Sequence, residues 1–241
     1  FPGNGARGFV TYLDPAGTFL WAHQFSSAGD CQAWDVALDN DGNVFVGGQF
    51  RDSLLVDGVN VLAAPDTALV GASVFYIVKL STTGSLLWAG AVWLEGYTGE
   101  MRAMAVDGDG DVYAVGEGGF DHGRFAKLDG ATGSVLFSLS PDGAGAFIQD
   151  VAIDGDNNVY ITGQATNAFT MGGLSCPYND ALGAGSTPLF IGKFNSSGAA
   201  QWYYVPDQTG SGYFPFPEGN LAVTADGHCF VETRKRVRIL G

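Results

Sequence analysis

Three observations predict an all-β fold. Short apolar segments come in pairs around turns of Gly, Asn and Asp. The pairs repeat along the chain. No stretch holds a 3.6-residue hydrophobic period long enough to require a helix.

The first repeated unit aligns without gaps in three places: "DVALDNDGNVFVGG" from Asp35, "AMAVDGDGDVYAVG" from Ala103 and "DVAIDGDNNVYITG" from Asp150. A weaker copy, "NLAVTADGHCFVET", starts at Asn220. The second unit alternates with the first: "FVTYLDPAGTFLWAHQF" from Phe9, "YIVKLSTTGSLLWAGAV" from Tyr76, "RFAKLDGATGSVLFSLS" from Arg124 and "FIGKFNSSGAAQWYYV" from Phe190. Here a turn glycine is followed four residues later by an aromatic, as in Gly17 and Trp21, Gly84 and Trp88, Gly133 and Phe137, Gly198 and Trp202.

Asp41, Asp109, Asp156 and Asp226 are spaced by 68, 47 and 70 residues, and the turn glycines by 67, 49 and 65. Two independent markers keep one long-short-long rhythm. Each unit reads as a hairpin, so a full repeat is four strands, a–b then c–d. Four antiparallel strands recurring at roughly 40 to 50 residues are the signature of a β-propeller blade. A blade cannot bury both faces by itself and must stack on neighbours.

The order of units predicts one propeller domain over residues 1–241: a half-blade at 1–30, blades at 31–100, 101–147 and 148–216, and a half-blade at 217–241. About four blades result, as a closed four-blade ring or as part of a larger ring. The chain begins with Phe1, which fits a processed or partial product.

Composition narrows the function classes. The 241 residues include 37 glycines, 46% are hydrophobic and 15% charged, which suits a buried chain with many tight turns rather than a disordered one. A net charge of −14 argues against nucleic acid as a partner, since phosphate binding needs a basic surface. Four basic residues, Arg234, Lys235, Arg236 and Arg238, gather near the C-terminus and read as a solvated edge or tail. Cys31, Cys176 and Cys229 are far apart and form no CxxC, so thiol ligation of a metal is not expected. The longest apolar run, "LLWAGAVWL", is too short to span a bilayer.

"LDNDGNVFVGGQF" followed by "VFYIVKLSTTGSLLW" resembles the bacterial SBBP-type β-propeller repeats, with their "D-x-x-GN-V-Y-V-x-G" hairpin, variable loop and "F-x-x-K-L-x-x-x-G-x-x-x-W". The resemblance runs over nearly the whole chain and stops after Glu232. It implies an extracellular or cell-surface protein, often part of a larger secreted chain, without shared catalytic residues.

The acidic turns are the first candidate site. Asp39, Asp41 and Asn43, then Asp107, Asp109 and Asp111, then Asp154, Asp156 and Asn158 all read D-x-[DN]-x-[DN]. Calcium loops begin in this way, but the bidentate Glu of an EF-hand is replaced by Phe50, Gly118 and Ala165. Turn chemistry explains the pattern as well, because Asp, Asn and Gly cap turns and accept positive φ. Asp107, Asp109 and Asp111 form the best candidate for a metal, Ca2+. The aromatic series Trp21, Trp88, Phe137 and Trp202 recurs in every repeat and is expected to pack between blades.

Positions that differ between repeats are better binding candidates. In a propeller the a strands line the central channel, and the d–a and b–c loops share a face. Trp34, Asp35, Arg102, Gln149, Asp150 and Asn220 stand at the starts of the a strands and form the candidate ligand-binding set. The long b–c loops, about 50–73 and 165–188, are further candidates. His23, His122 and His228 occupy unrelated repeat positions, and no GxSxG, HExxH or phosphate loop is present, so no catalytic residue is assigned. The expected function is a non-enzymatic extracellular module that binds a glycan or protein partner, or serves structurally in a larger assembly. The alternative is a lyase or hydrolase working at the central channel.

Overall fold

The computed structural model describes residues 7–64, 73–92, 99–118, 123–142, 145–178, 188–206 and 220–232. All regular structure among them is β. Three sheets are complete four-stranded antiparallel meanders, the blade architecture that the repeats predict. The first contains β3 (Cys31–Leu38), β4 (Val44–Phe50), β7 (Val74–Leu80) and β8 (Leu86–Val92) in that order. The second contains β9 (Gly99–Val106), β10 (Val112–Gly118), β11 (Gly123–Leu128) and β12 (Val135–Leu139). The third contains β13 (Ala146–Ile153), β14 (Val159–Ala165), β17 (Leu189–Phe194) and β18 (Ala200–Tyr204).

Burial follows position in the blade. Every residue of β4, β7 and β14 is buried, so these b and c strands are covered on both faces instead of alternating between core and solvent. The outer strand β12 is mostly exposed.

The turns explain the spacing of Asp and Gly. In the a–b turn at Asp39, the Gly42 amide donates to the Asp39 carbonyl at 3.0 Å and the Asp39 amide to the Asn43 carbonyl at 3.1 Å. Gly42 has φ of +78°, the left-handed residue that closes a three-residue hairpin loop. The c–d turn at Asp14 uses the same scheme, with Gly17 at +83°. At residue 157 an asparagine takes this role with φ of +61°, which its side chain tolerates better than most.

Two features lie beyond the repeat reading. The first b–c loop folds into a hairpin of β5 (Ser53–Val56) and β6 (Val59–Ala63), and the second into β15 (Phe169–Met171) and β16 (Leu174–Cys176). Each turns on two consecutive positive-φ residues, Asp57 (+50°) and Gly58 (+84°), or Gly172 (+63°) and Gly173 (+82°). That is the type I′ signature. The turns lie 115 residues apart, the same separation as Gly48–Gln49 and Gly163–Gln164, so the hairpin is part of a two-blade repeat. Residues 65–72 and 179–187 of these loops, and the basic run at 234–238, lie outside the described residues.

The chain clusters into two compact units, residues 1–112 with 127–136 and residues 113–126 with 137–241. In the first, β5 pairs with β2 (Phe19–Ser26), which itself pairs with β1 (Gly8–Leu13), giving the sheet order β1-β2-β5-β6. Leu54, Val56, Phe25, Phe50, Tyr76 and Val78 share one buried cluster there. The second unit includes the hairpin of β19 (Asn220–Val223) and β20 (Cys229–Glu232) as a two-stranded sheet.

Candidate functional site

The first Asp of each acidic turn is held by its own backbone. Asp107 Oδ1 accepts the amides of Asp109 at 3.0 Å and Asp111 at 2.9 Å. Asp39 Oδ1 accepts those of Asp41 and Asn43, and Asp154 Oδ1 those of Asp156 and Asn158. Asp14 and Asn195 do the same in c–d turns, with no acidic triplet around them.

The second oxygen faces a lysine from strand c of the same blade. Lys79 Nζ lies 3.0 Å from Asp39 Oδ2, and Lys193 Nζ 3.4 Å from Asp154 Oδ2. Lys127 Nζ stands between Asp111 Oδ2 at 2.9 Å and Asp107 Oδ2 at 3.3 Å. The Asp107 contact is ionic, without hydrogen-bond geometry, and its side chain is fully buried. The described residues contain no group of three or more His, Cys, Asp or Glu side chains placed to hold a metal. Asp107 is turned onto two amides, and the charge among these carboxylates is the ammonium of Lys127.

The same pattern sets a pH dependence. Burial alone would raise the Asp154 carboxyl, but the Asn158 side chain and amide, the Asp156 amide and Tyr160 outweigh it and hold it below 3.8. Asp39 is also lowered, with burial opposed by Asn43 and Lys79. A lowered folded-state pKa means that the unfolded chain takes up the proton more readily. Stability is therefore whole above about pH 4 and falls as the pH drops further. Asp154→Asn is expected to flatten that fall in urea titrations run between about pH 5 and 2.

The residues at the starts of the a strands divide between the two units. On β3, the register slips between Ala33 and Asp35, so Trp34 is a bulge residue and is 47% exposed. Gln149 occupies the corresponding bulge between Ile148 and Asp150 on β13. Glycine is required opposite each bulge. A Cβ on Gly48 would lie 1.9 Å from the Gln32 carbonyl oxygen, and one on Gly163 1.9 Å from that of Phe147.

The two aspartates brace neighbouring strands. Asp35 Oδ2 accepts the Met104 amide of β9 at 2.8 Å, and its Oδ1 accepts the Val36 amide at 2.8 Å. Burial raises the Asp35 carboxyl despite these two bonds. In the second unit Asp150 accepts the Leu221 amide of β19 at 2.6 Å and the Val151 amide at 2.8 Å. Arg102 forms an ion pair with Glu100 at 3.1 Å, and Asn220 donates to Glu232 at 3.4 Å.

The aromatic series packs between repeats, as its regular placement predicts. Trp21 lies under the turn glycine of the next c–d hairpin, where a Cβ on Gly84 would come within 3.1 Å of its ring, and its Nε1 donates to the Thr82 carbonyl. Trp88 lies in the same way under Gly133 and donates to Gly130, while Phe137 lies under Gly198. His23 pairs with Asp57 at 2.6 Å and His228 with Asp226 at 3.0 Å; His122 lies outside the described residues.

The sequence reading missed the insertion hairpins as structure. They reach back to the preceding outer strand β2 in the first case and to the segment just after β12 in the second. Asp57 exchanges bonds with Gln24, and the Asp142 amide donates to the Thr170 carbonyl at 2.9 Å, with the Thr170 amide returning a bond to the Asp142 side chain. The Asp57-Gly58 and Gly172-Gly173 pairs were the available signal. A shallow open groove lined by Asp142, Phe169, Thr170 and Ser175 flanks the second hairpin. Among the described residues no helix is long and apolar enough to cross a membrane.

These blades define a protein of the β-propeller class. No family model matches the chain, and no curated protein matches it. Among solved structures it is similar to the Dos1 propeller, at 10% identity and a TM-score of 0.37, over 90% of this chain and 68% of that one. It is also similar to a protein of unknown function from Bacteroides caccae, at 11% identity and a TM-score of 0.31, over 79% and 87% of the two chains. BamB from Moraxella catarrhalis is a third, at 13% identity and a TM-score of 0.26, over 94% and 91%.

Proposed function

We propose that this chain is a non-enzymatic binding or scaffold module of an extracellular assembly, taking a glycan or protein partner. One contrast carries the reading. The recurring residues are engaged structurally: the Asp–Lys pairs within each blade, and the aromatics under turn glycines and the Asp35 and Asp150 braces between repeats. Trp34 and Arg102 occupy equivalent positions on β3 and β9, are not repeated elsewhere, and keep about half and over a third of their side-chain surface in water. An exposed aromatic ring with a guanidinium on the neighbouring strand suits stacking and hydrogen bonding to a sugar or a polar peptide. The extracellular setting rests on the SBBP resemblance and the net charge of −14.

The channel-enzyme reading would draw acids and bases from the same strand starts. Asp35 and Asp150 accept two backbone amides each, a geometry that suits bracing better than proton transfer. A glycan array, run with and without added calcium, tests the proposal. Trp34→Ala and Arg102→Ala are expected to weaken a bound glycan by about tenfold or more, with the unfolding midpoint unchanged. Absence of glycan binding, together with substrate turnover that is lost on Arg102→Ala or Asp150→Ala, would establish the enzyme instead.

A further inference from the structure

A residue outside the candidate set narrows the class of ligand. Glu100 precedes Arg102 by two residues on β9, and its Oε2 stands 3.1 Å from the Arg102 guanidinium. In the three complete blades this repeat position holds Gln32, Glu100 and Phe147, so the acid accompanies only the blade that presents the arginine. The two side chains are 49% and 38% exposed, and an ion pair so open to water adds little to stability. Its presence is therefore poorly explained by the fold alone.

Trp34 belongs to the same wall. Asp35, its chain neighbour, accepts the Met104 amide at 2.8 Å, and Met104 follows Arg102 by two residues. The strand that carries the ring is thus bonded to the strand that carries the pair. Trp34, Asp35, Glu100 and Arg102 all lie in one compact unit.

The pair has a definite chemistry. A guanidinium offers only donors and a carboxylate only acceptors. Hydroxyls on adjacent sugar carbons meet both, each accepting from Arg102 while donating to Glu100. The apolar face of a sugar ring stacks on an indole. A uronic acid or a sulfate ester finds the guanidinium already paired and its own charge set against Glu100, a like-charge contact that costs affinity. The net charge of −14 adds to that bias.

We propose that Trp34, Arg102 and Glu100 form one site for a neutral glycan, with Glu100 the residue that rejects anionic sugars. The proposal rests on the binding-module reading and goes beyond it in naming the ligand class and a selectivity residue.

The test is a glycan array carrying neutral chains beside their acidic counterparts, such as galactan with polygalacturonate and dextran with dextran sulfate. A chelating buffer keeps divalent cations from bridging the acids. Wild type is expected to bind neutral members about tenfold or more tighter than their acidic partners. Glu100→Gln keeps the side-chain length and removes the charge. It is expected to shift that ratio by about tenfold or more toward the acidic members, with the unfolding midpoint unchanged. The acidic binding so gained should fade as salt is raised from about 0.05 to 0.5 M, because exposed charges are then screened. It should also disappear when Arg102→Ala is added.

Glycan binding with the same neutral-to-acidic ratio in wild type and Glu100→Gln would overturn the role of Glu100 and leave the binding module standing. A wild-type preference for the acidic members would overturn the ligand class. Folded wild type that binds no glycan would overturn the glycan reading as a whole, this inference included, in favour of a protein partner.

Discussion

Lys127→Met is expected to destabilise the protein by about 3–5 kcal/mol, among the largest losses available to a single substitution outside the apolar core. The Lys127 side chain is 8% exposed, and it faces Asp107 at 0% and Asp111 at 21%. Removing the ammonium leaves a buried carboxylate whose remaining bonds are to two amides, and the desolvation already incurred is no longer offset. Urea unfolding at neutral pH measures the loss. Adding Asp107→Asn to Lys127→Met should recover a substantial part, since Asn keeps an oxygen for the Asp109 and Asp111 amides while shedding the charge. A double variant as unstable as the single one would show that packing of the lysine stem, rather than its charge, carries the effect. Calcium gives an independent check: added calcium should leave the wild-type midpoint where it is. A rise that disappears in Asp109→Asn would instead establish a cation site at this turn.

The second large effect is expected at Leu54→Ala, at about 2–5 kcal/mol. Leu54 lies in a segment that reads as a surface loop, where truncation ordinarily changes stability by no more than about 0.5 kcal/mol. In the structure it is 0% exposed and belongs to the cluster containing Phe25, Phe50 and Tyr76. The β5–β6 hairpin is thus a staple from one blade onto the outer strand of the one before. Val59→Ala makes the control, because Val59 is 66% exposed on the same hairpin and should cost little. Equal, small losses at both positions would return the segment to the status of a loop.

The two predictions mark where residue order was sufficient and where it was not. Blades, turns and interblade aromatics are local or periodic. Gly42 and Asn43 specify a turn through φ and side-chain reach, and the recurrence of Gly and Trp at fixed spacing identifies Trp21 and Trp88 as packing residues without coordinates. The acidic triplet in "VDGDGDVYAVG" was ambiguous because both of its readings use the same oxygens over the same five residues. Lys127, which lies 16 residues beyond Asp111, adds an ammonium to the carboxylates of this turn, and only the pairing of β10 with β11 brings it there.

The binding set shows the same division. Trp34 and Gln149 were legible as positions that vary between repeats, and their bulges form within the β3–β4 and β13–β14 hairpins, but the use of Asp35 and Asp150 as braces depends on strands about 70 residues away in sequence. By itself, then, the sequence determined the strand order, the turn chemistry and the repeating interblade contacts, because those are governed by neighbours within a hairpin or by a fixed period. The tertiary structure decided which charges meet and which loop becomes core. Both depend on desolvation by residues that are distant in the chain, which a turn signal such as Asp57-Gly58 does not specify.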